Sequence, residues 1–288
     1  MTTVSLLMSG TFTAERRSSF TMIKENLFNL VKIFPLILFV GFGAMGIFIS
    51  WGIGLVMAMI IGLILLYKIS KYLPKFTFDP IIKNMAGYSA RNYIAGILSS
   101  LPGLILPIMI ARLISTESAG YFFIAITVTG LLYGIPQSIS SSLLAESFKG
   151  DIWEKVGKAV RFNLFLLISG LLLFMIFGKF VLNIFNHSYA ENATTTLIIL
   201  AMASVPLSTI NIFNTVRNAQ KRVGSTIKIN AVVTIITLIL AIPLMKILNI
   251  EGAALAYLIG NIIGALIVII RIKNPTEFAL KLNGTNNI

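Results

Sequence analysis

Charged residues punctuate this chain sparsely, and the apolar stretches between them predict its elements. Residues 33–67 carry no charge over 35 positions. One membrane-crossing helix needs about 20 apolar residues, so this stretch predicts a hairpin of two. The turn is expected near Ser50-Trp51-Gly52, with the indole at interfacial depth. Further uncharged runs cover residues 92–111, 118–145, 162–178, 192–216, 229–245 and 252–270. The two shortest extend past their flanking lysines by snorkelling. The pattern predicts an all-α polytopic membrane protein of eight transmembrane helices.

The flanking charges orient it. Arg16, Arg17, Lys24 and Lys32 precede the first span, and Lys68, Lys71, Lys75, Lys83 and Arg91 fill the second gap. Lys149, Lys155, Lys158 and Arg161 fill the fourth gap, and Arg217, Lys221, Arg222 and Lys228 the sixth. Arg271, Lys273 and Lys281 follow the last span. Twenty of the 23 basic residues thus share a side, against Arg112, Lys179 and Lys246 opposite. Basic loops stay in the cytoplasm, so both termini are expected there, in a multi-pass protein of the plasma membrane.

Composition agrees and assigns the charge. The chain is 57% hydrophobic and 11% charged, against about 25% charged in soluble domains. A net charge of +13 then reads as an orientation code with anionic lipid headgroups as partners, and no nucleic acid partner is expected. With no cysteine and one histidine, thiolate sites, two-histidine metal motifs and a metal or other cofactor are not expected.

The chain also repeats itself. Ala14-Glu-Arg-Arg17 matches Ala219-Gln-Lys-Arg222, Asn26 matches Asn230, and the glycine-marked stretch 46–54 matches 252–260, at offsets of 204–206. The first hairpin therefore corresponds to the last hairpin of a six-span unit. We expect residues 1–69 to be the last two spans of an N-terminal lobe and 70–86 a cytoplasmic inter-lobe linker. Residues 87–273 form a six-span C-terminal lobe and 274–288 a cytoplasmic tail. Four spans of the first lobe are then missing from this sequence. Two amphipathic stretches, 70–85 and 151–160, are expected to lie at headgroup level.

Several runs carry a family resemblance. Ala111-Arg-Leu-Ile-Ser-Thr-Glu-Ser-Ala-Gly120-Tyr-Phe-Phe-Ile-Ala and Ile135-Pro-Gln-Ser-Ile-Ser-Ser-Ser-Leu-Leu-Ala-Glu146 resemble the polysaccharide flippases. So do Asn218-Ala-Gln-Lys-Arg222 and Glu251-Gly-Ala-Ala-Leu-Ala256. These are the O-antigen and teichoic-acid exporters of the multidrug/oligosaccharidyl-lipid/polysaccharide exporter superfamily. The resemblance covers about residues 11–273 and implies two six-span lobes with a polyprenyl-linked oligosaccharide as substrate. Envelope glycan biosynthesis enzymes are the implied neighbours. The missing spans remove half of the expected cavity.

Intramembrane polar residues are the candidates for function, since each is costly unless paired or facing water. Gln137, Ser138 and Ser141 share a face just after Pro136, either lining a cavity or packing small against a neighbour. Asn211, Asn214, Thr215 and Asn218 form a stripe leading to Arg217, again either cavity lining or interhelical bonding. Arg91 and Asn92 open the third span. In flippases resembling this chain, a cavity arginine holds the substrate's pyrophosphate, for which the planar guanidinium is suited. Arg91 fits that role and Arg112 reads as an interface anchor. The candidate substrate-binding set is Arg91, Asn92, Gln137, Ser141, Asn211, Asn214 and Arg217. No catalytic residue is expected. His187 sits in an outer loop and reads as solvated.

The leading function is transport of lipid-linked oligosaccharide by alternating access. A cation or drug antiporter of the same superfamily is the alternative, but no Asp or Glu lies at mid-span to couple an ion. A membrane glycosyltransferase would need paired carboxylates, and the nearest, Asp151 and Glu154, read as solvated. A non-transporting remnant shares every feature.

Overall fold

The computed structural model describes residues 5, 8–12, 18–70, 80–146, 152–220 and 222–273. The described residues are helical nearly throughout and fall into two compact units, Met1–Asp79 and Pro80–Ile288. Six helices among them are long and apolar enough to cross a membrane: Met45–Lys68, Ala86–Leu113, Thr116–Ser140, Gly157–Phe185, Thr194–Asn218 and Val223–Arg271.

In the first unit, α1 (Ser18–Val31) and α2 (Ile33–Leu38) form the ascending arm. A 3-10 turn (Val40–Phe42) leads into α3 (Ala44–Ser70). The arm breaks at Lys32 because Pro35 has no N–H for the Val31 carbonyl, and its ring crowds that oxygen. No piece of the arm alone reaches spanning length, so it is absent from the six. The turn lies at residues 39–43, where Gly43 takes φ +55, and not at Ser50-Trp51-Gly52 as expected. Those three residues are helical: Ser50 Oγ donates to the Gly46 carbonyl at 2.7 Å, and Trp51 meets Phe28 edge-on at 6.5 Å. The tight spot is Gly46, where a Cβ would collide with the Phe39 carbonyl.

Lys24, expected at the membrane edge, is fully buried. Its ammonium donates to the Ser5 carbonyl at 2.6 Å and to Ser5 Oγ at 2.8 Å, and lies 3.1 Å from Glu25 Oε1. A buried ammonium needs this shell of oxygens to offset its lost hydration.

The second unit begins with α4 (Pro80–Leu113), which starts earlier than the apolar run because Pro80 suits a first helical position. It continues through α5 (Thr116–Glu146) and α6 (Ile152–Phe185). The stretch 151–160, expected at headgroup level, is helical over its described residues 152–160 and runs on without a break into the rest of α6. The companion stretch at 71–79 lies outside the described residues.

Short α7 (His187–Asn192), capped by Asn186, then hands over to α8 (Thr194–Met202) and α9 (Ser204–Ala219). The last two form one apolar crossing with a kink at Ala203, where Pro206 leaves the Met202 carbonyl without its helical donor. Finally, α10 (Val223–Lys273) holds two helices joined at Leu248 and Asn249, whose φ is +50. Residues 223–247 and 250–273 each measure about 36 Å at 1.5 Å per residue, enough for a core about 30 Å thick.

The two hairpins are built alike. Gly43 and Asn249, 206 positions apart, are the positive-φ residues of their turns. A Cβ at Gly252 would collide with the Leu244 carbonyl, just as one at Gly46 would with Phe39. Gly54 lies against Phe28 and Lys32, and Gly260 against Val233 and Thr237, each neighbour displaced by 205. The apolar core of the second unit gathers Leu106, Phe122, Leu197 and Met245 at the end of α4 that carries Arg112, away from Arg91.

Candidate functional site

Toward the other end of the second unit, the apolar packing gives way. α4, α5, α9 and α10 line an open cavity of about 360 Å³. That is within the range of roughly 300–1,000 Å³ typical of small-molecule sites. Its wall takes Asn92, Ser99 and Ser100 from α4, and Gln137 and Ser140 from α5. α9 adds Asn211, Asn214, Thr215 and Asn218, and α10 adds Thr226 and Asn230. Every polar side chain among these described residues is an amide or a hydroxyl.

Helical spacing explains the α9 wall, because positions 211, 214, 215 and 218 fall on one face. That face is held by bonds to its neighbours. Asn214 Nδ2 donates to Asn230 Oδ1 at 3.2 Å, and Asn230 Nδ2 donates onward to the Ala95 carbonyl at 2.9 Å. One turn further, Thr234 Oγ1 donates to the Leu98 carbonyl at 2.6 Å. Pro102 deprives that same carbonyl of its helical partner, so the threonine compensates for the kink. At the mouth, Tyr88 Oη donates to the Asn218 carbonyl at 3.2 Å. α4, α9 and α10 are thus tied together by side-chain bonds at three levels.

Not all of the wall is satisfied internally. Ser140 Oγ, Asn214 Oδ1, Asn218 Oδ1 and Thr226 Oγ1 are shielded from solvent and have no hydrogen-bond partner. Native interiors leave few polar atoms in this state, and four cluster around one cavity here.

Of the seven candidate residues, Asn92, Gln137, Asn211 and Asn214 come together on this wall. Arg91 is exposed beside Asn92. Arg217 is half-buried, stacks 5.1 Å over the Phe213 ring and donates to Gln220 Oε1 at 3.2 Å. Ser141 is helical, its side chain lies outside the described residues, and its neighbour Ser140 holds the wall position. Sequence reasoning missed Ser99, Ser100 and Thr226, which are isolated small polar residues with no stripe. It saw Asn230 only as a repeat marker. A smaller enclosed space of about 20 Å³, sharing Ser99 and Asn230 with the main cavity, lies behind the Pro102 kink.

No family model and no curated protein matches this sequence. Solved structures do. A lipid II flippase, MurJ, in an inward closed conformation matches with a TM-score of 0.73 and 16% identity, over 94% of this chain and 60% of its own. A MATE structure in a bent conformation matches at 0.75 and 14%, over 98% of this chain and 67% of its own. A MOP superfamily transporter from Pyrococcus furiosus matches at 0.72 and 12%, over 94% and 66%. This chain therefore spans 60% of the length of the flippase it matches. At these identities the likeness is one of fold: a multi-pass, all-α membrane protein with the architecture of MOP superfamily transporters, neighbours that are transporters rather than enzymes.

Proposed function

We propose that this chain acts in moving a polyprenyl-linked oligosaccharide across the plasma membrane by alternating access. The observation that carries the reading is an open, amide- and hydroxyl-lined cavity between apolar helices, flanked along the chain by Arg91, Arg217, Arg222 and Lys228. A lipid-linked sugar has matching parts. Its hydroxyls need hydrogen-bond partners where water is scarce, its diphosphate needs fixed cations, and its polyprenyl tail stays in lipid. Arg217 is suited to the diphosphate, because its stacking on Phe213 fixes the plane of its donors. In this reading the chain crosses the membrane eight times, with α1–α2 and the two halves of α10 each counted as crossings. Both termini and the basic residues face the cytoplasm, touching anionic lipid headgroups and meeting the enzymes that assemble the glycan. The lobe boundaries expected from the sequence, with residues 87–273 as the complete six-span lobe, belong to the same proposal.

The test uses the purified full chain in vesicles containing a short-chain polyprenyl diphosphate disaccharide with a fluorescent label. Saturable binding is expected, with affinity falling at least tenfold in Arg217→Ala and in Arg91→Ala. Ion-gradient-driven export of a cationic dye, without binding of the lipid-linked sugar, would favour an antiporter and refute the reading. The MATE likeness makes that second arm necessary.

A further inference from the structure

We infer that the cavity among α4, α5, α9 and α10 selects an uncharged sugar, discriminating against glycans that carry a uronate or a free amine next to the diphosphate. The inference rests on the lipid-linked sugar reading and narrows its substrate class. Three observations support it.

The first is the chemistry of the wall. Its described polar side chains are four Asn other than Asn230, that bridging Asn230 itself, Gln137, and the hydroxyls of Ser99, Ser100, Ser140, Thr215 and Thr226. Amides and hydroxyls offer donors and acceptors without net charge, the complement of a sugar hydroxyl that does both. A carboxylate or an ammonium entering such a space would lose its hydration and find no countercharge on that wall.

The second is the state of the four unpartnered atoms. Ser140 and Thr226 are each over nine-tenths buried, yet their hydroxyl oxygens have no partner. Asn214 and Asn218 likewise have unpartnered side-chain carbonyl oxygens. A buried acceptor without a donor is unfavourable, so each of these atoms gains when a hydroxylated ligand widens the cavity and reaches it. Two are pure acceptors and two are hydroxyls; neutral polyols satisfy all four, whereas a carboxylate can accept from the two hydroxyls but has no donor for the two carbonyl oxygens.

The third is the separation of roles. Asn214 and Asn230 each already use one amide N–H in tying α9, α10 and α4 together. Their orientation is therefore fixed before a ligand arrives, which lowers the ordering cost of binding. The cations lie elsewhere, at Arg91 and Arg217, and serve the diphosphate common to all such lipids.

The full chain in lipid nanodiscs is titrated with four short-chain polyprenyl diphosphates. One carries a neutral disaccharide, one a uronate at the first sugar, one a free amine there, and one no sugar. The neutral form should bind at least tenfold tighter than the other three. Thr226→Val replaces a partnerless hydroxyl by a methyl of equal size, so it should leave thermal stability unchanged and weaken the neutral ligand about fivefold, with no change for the sugar-free lipid. Asn214→Asp should shift preference toward the amine-bearing sugar. Equal affinity for the three glycosylated lipids, or a neutral form no tighter than the sugar-free lipid, overturns the inference and leaves the flippase reading standing. Failure to bind any of the four overturns both. A Thr226→Val protein that unfolds earlier and binds as before assigns that hydroxyl to packing and counts against the inference.

Discussion

Asn230 joins three helices through one side chain, accepting from Asn214 and donating to the Ala95 carbonyl while only 6% exposed. Replacing it with alanine removes both bonds and strands the Asn214 amide. Interhelical bonds within a membrane contribute about 0.6 kcal/mol on average and up to roughly 1.7. Asn230→Ala is therefore expected to destabilise the protein by about 1–2 kcal/mol, read as a lower midpoint in thermal unfolding in detergent. Asn92→Ala is the control, because its Nδ2 bonds only to the Tyr88 carbonyl one turn back, at 3.3 Å, and should shift the midpoint far less. This contrast marks the limit of legibility at the residue scale. The stripe of Asn211, Asn214 and Asn218 is visible because helical spacing alone puts it on one face. Ser99 reaches the same cavity from a helix far away in sequence, and Thr226 and Asn230 from the helix that follows the stripe, and only tertiary packing brings them there. Lys24 is hard to place for a related reason: a lysine beside an apolar run looks like an edge marker until Ser5 and Ser9, well before it in sequence, close over it.

Charge edges located the elements well, while their breaks depended on single residues whose effect is geometric. Pro35 cuts the first arm at Lys32, Pro206 kinks the crossing of α8 and α9, and Gly43 makes the turn that the apolar pattern places at Trp51. Asn249 is the informative case. It holds φ +50 and ψ −131, a region that costs a non-glycine residue about 1–3 kcal/mol. Its counterpart in the first hairpin is Gly43 at φ +55. Asn249→Gly should therefore stabilise the second unit by about 1 kcal/mol, and Asn249→Val should destabilise it by at least as much, since a β-branched side chain tolerates that region least. Gly252→Ala should be more damaging than either, because the added Cβ meets backbone, the Leu244 carbonyl, and no side chain can turn aside. Denaturant midpoints of the three variants order these effects. An unchanged midpoint in Asn249→Gly would mean that the turn relaxes without strain.

At the scale of the whole molecule, the arrangement of charge makes the strongest claim. Twenty basic residues against three is an asymmetry that fixes orientation only if every gap alternates, so the claim depends on the first arm of the first hairpin, which is broken into α1 and α2, neither of spanning length. The chain contains no cysteine, which allows each side to be probed one site at a time. Phe42 lies exposed in the 3-10 turn, Ser188 in α7 and Gly224 at the start of α10, where an added side chain meets open space. In intact cells, an impermeant maleimide should label Phe42→Cys and Ser188→Cys, and should reach Gly224→Cys only after permeabilisation. Trp51→Cys should react slowly in both conditions, because that residue sits two turns inside α3 and faces lipid if the turn lies at residues 39–43. The opposite pattern, with Trp51→Cys labelled quickly and Phe42→Cys protected, would return the turn to the position that the sequence alone indicated. Labelling of Phe42→Cys only after permeabilisation would put that turn in the cytoplasm and reduce the crossings to six, and because residues 33–67 carry no charge the twenty-to-three asymmetry would persist with two fewer crossings.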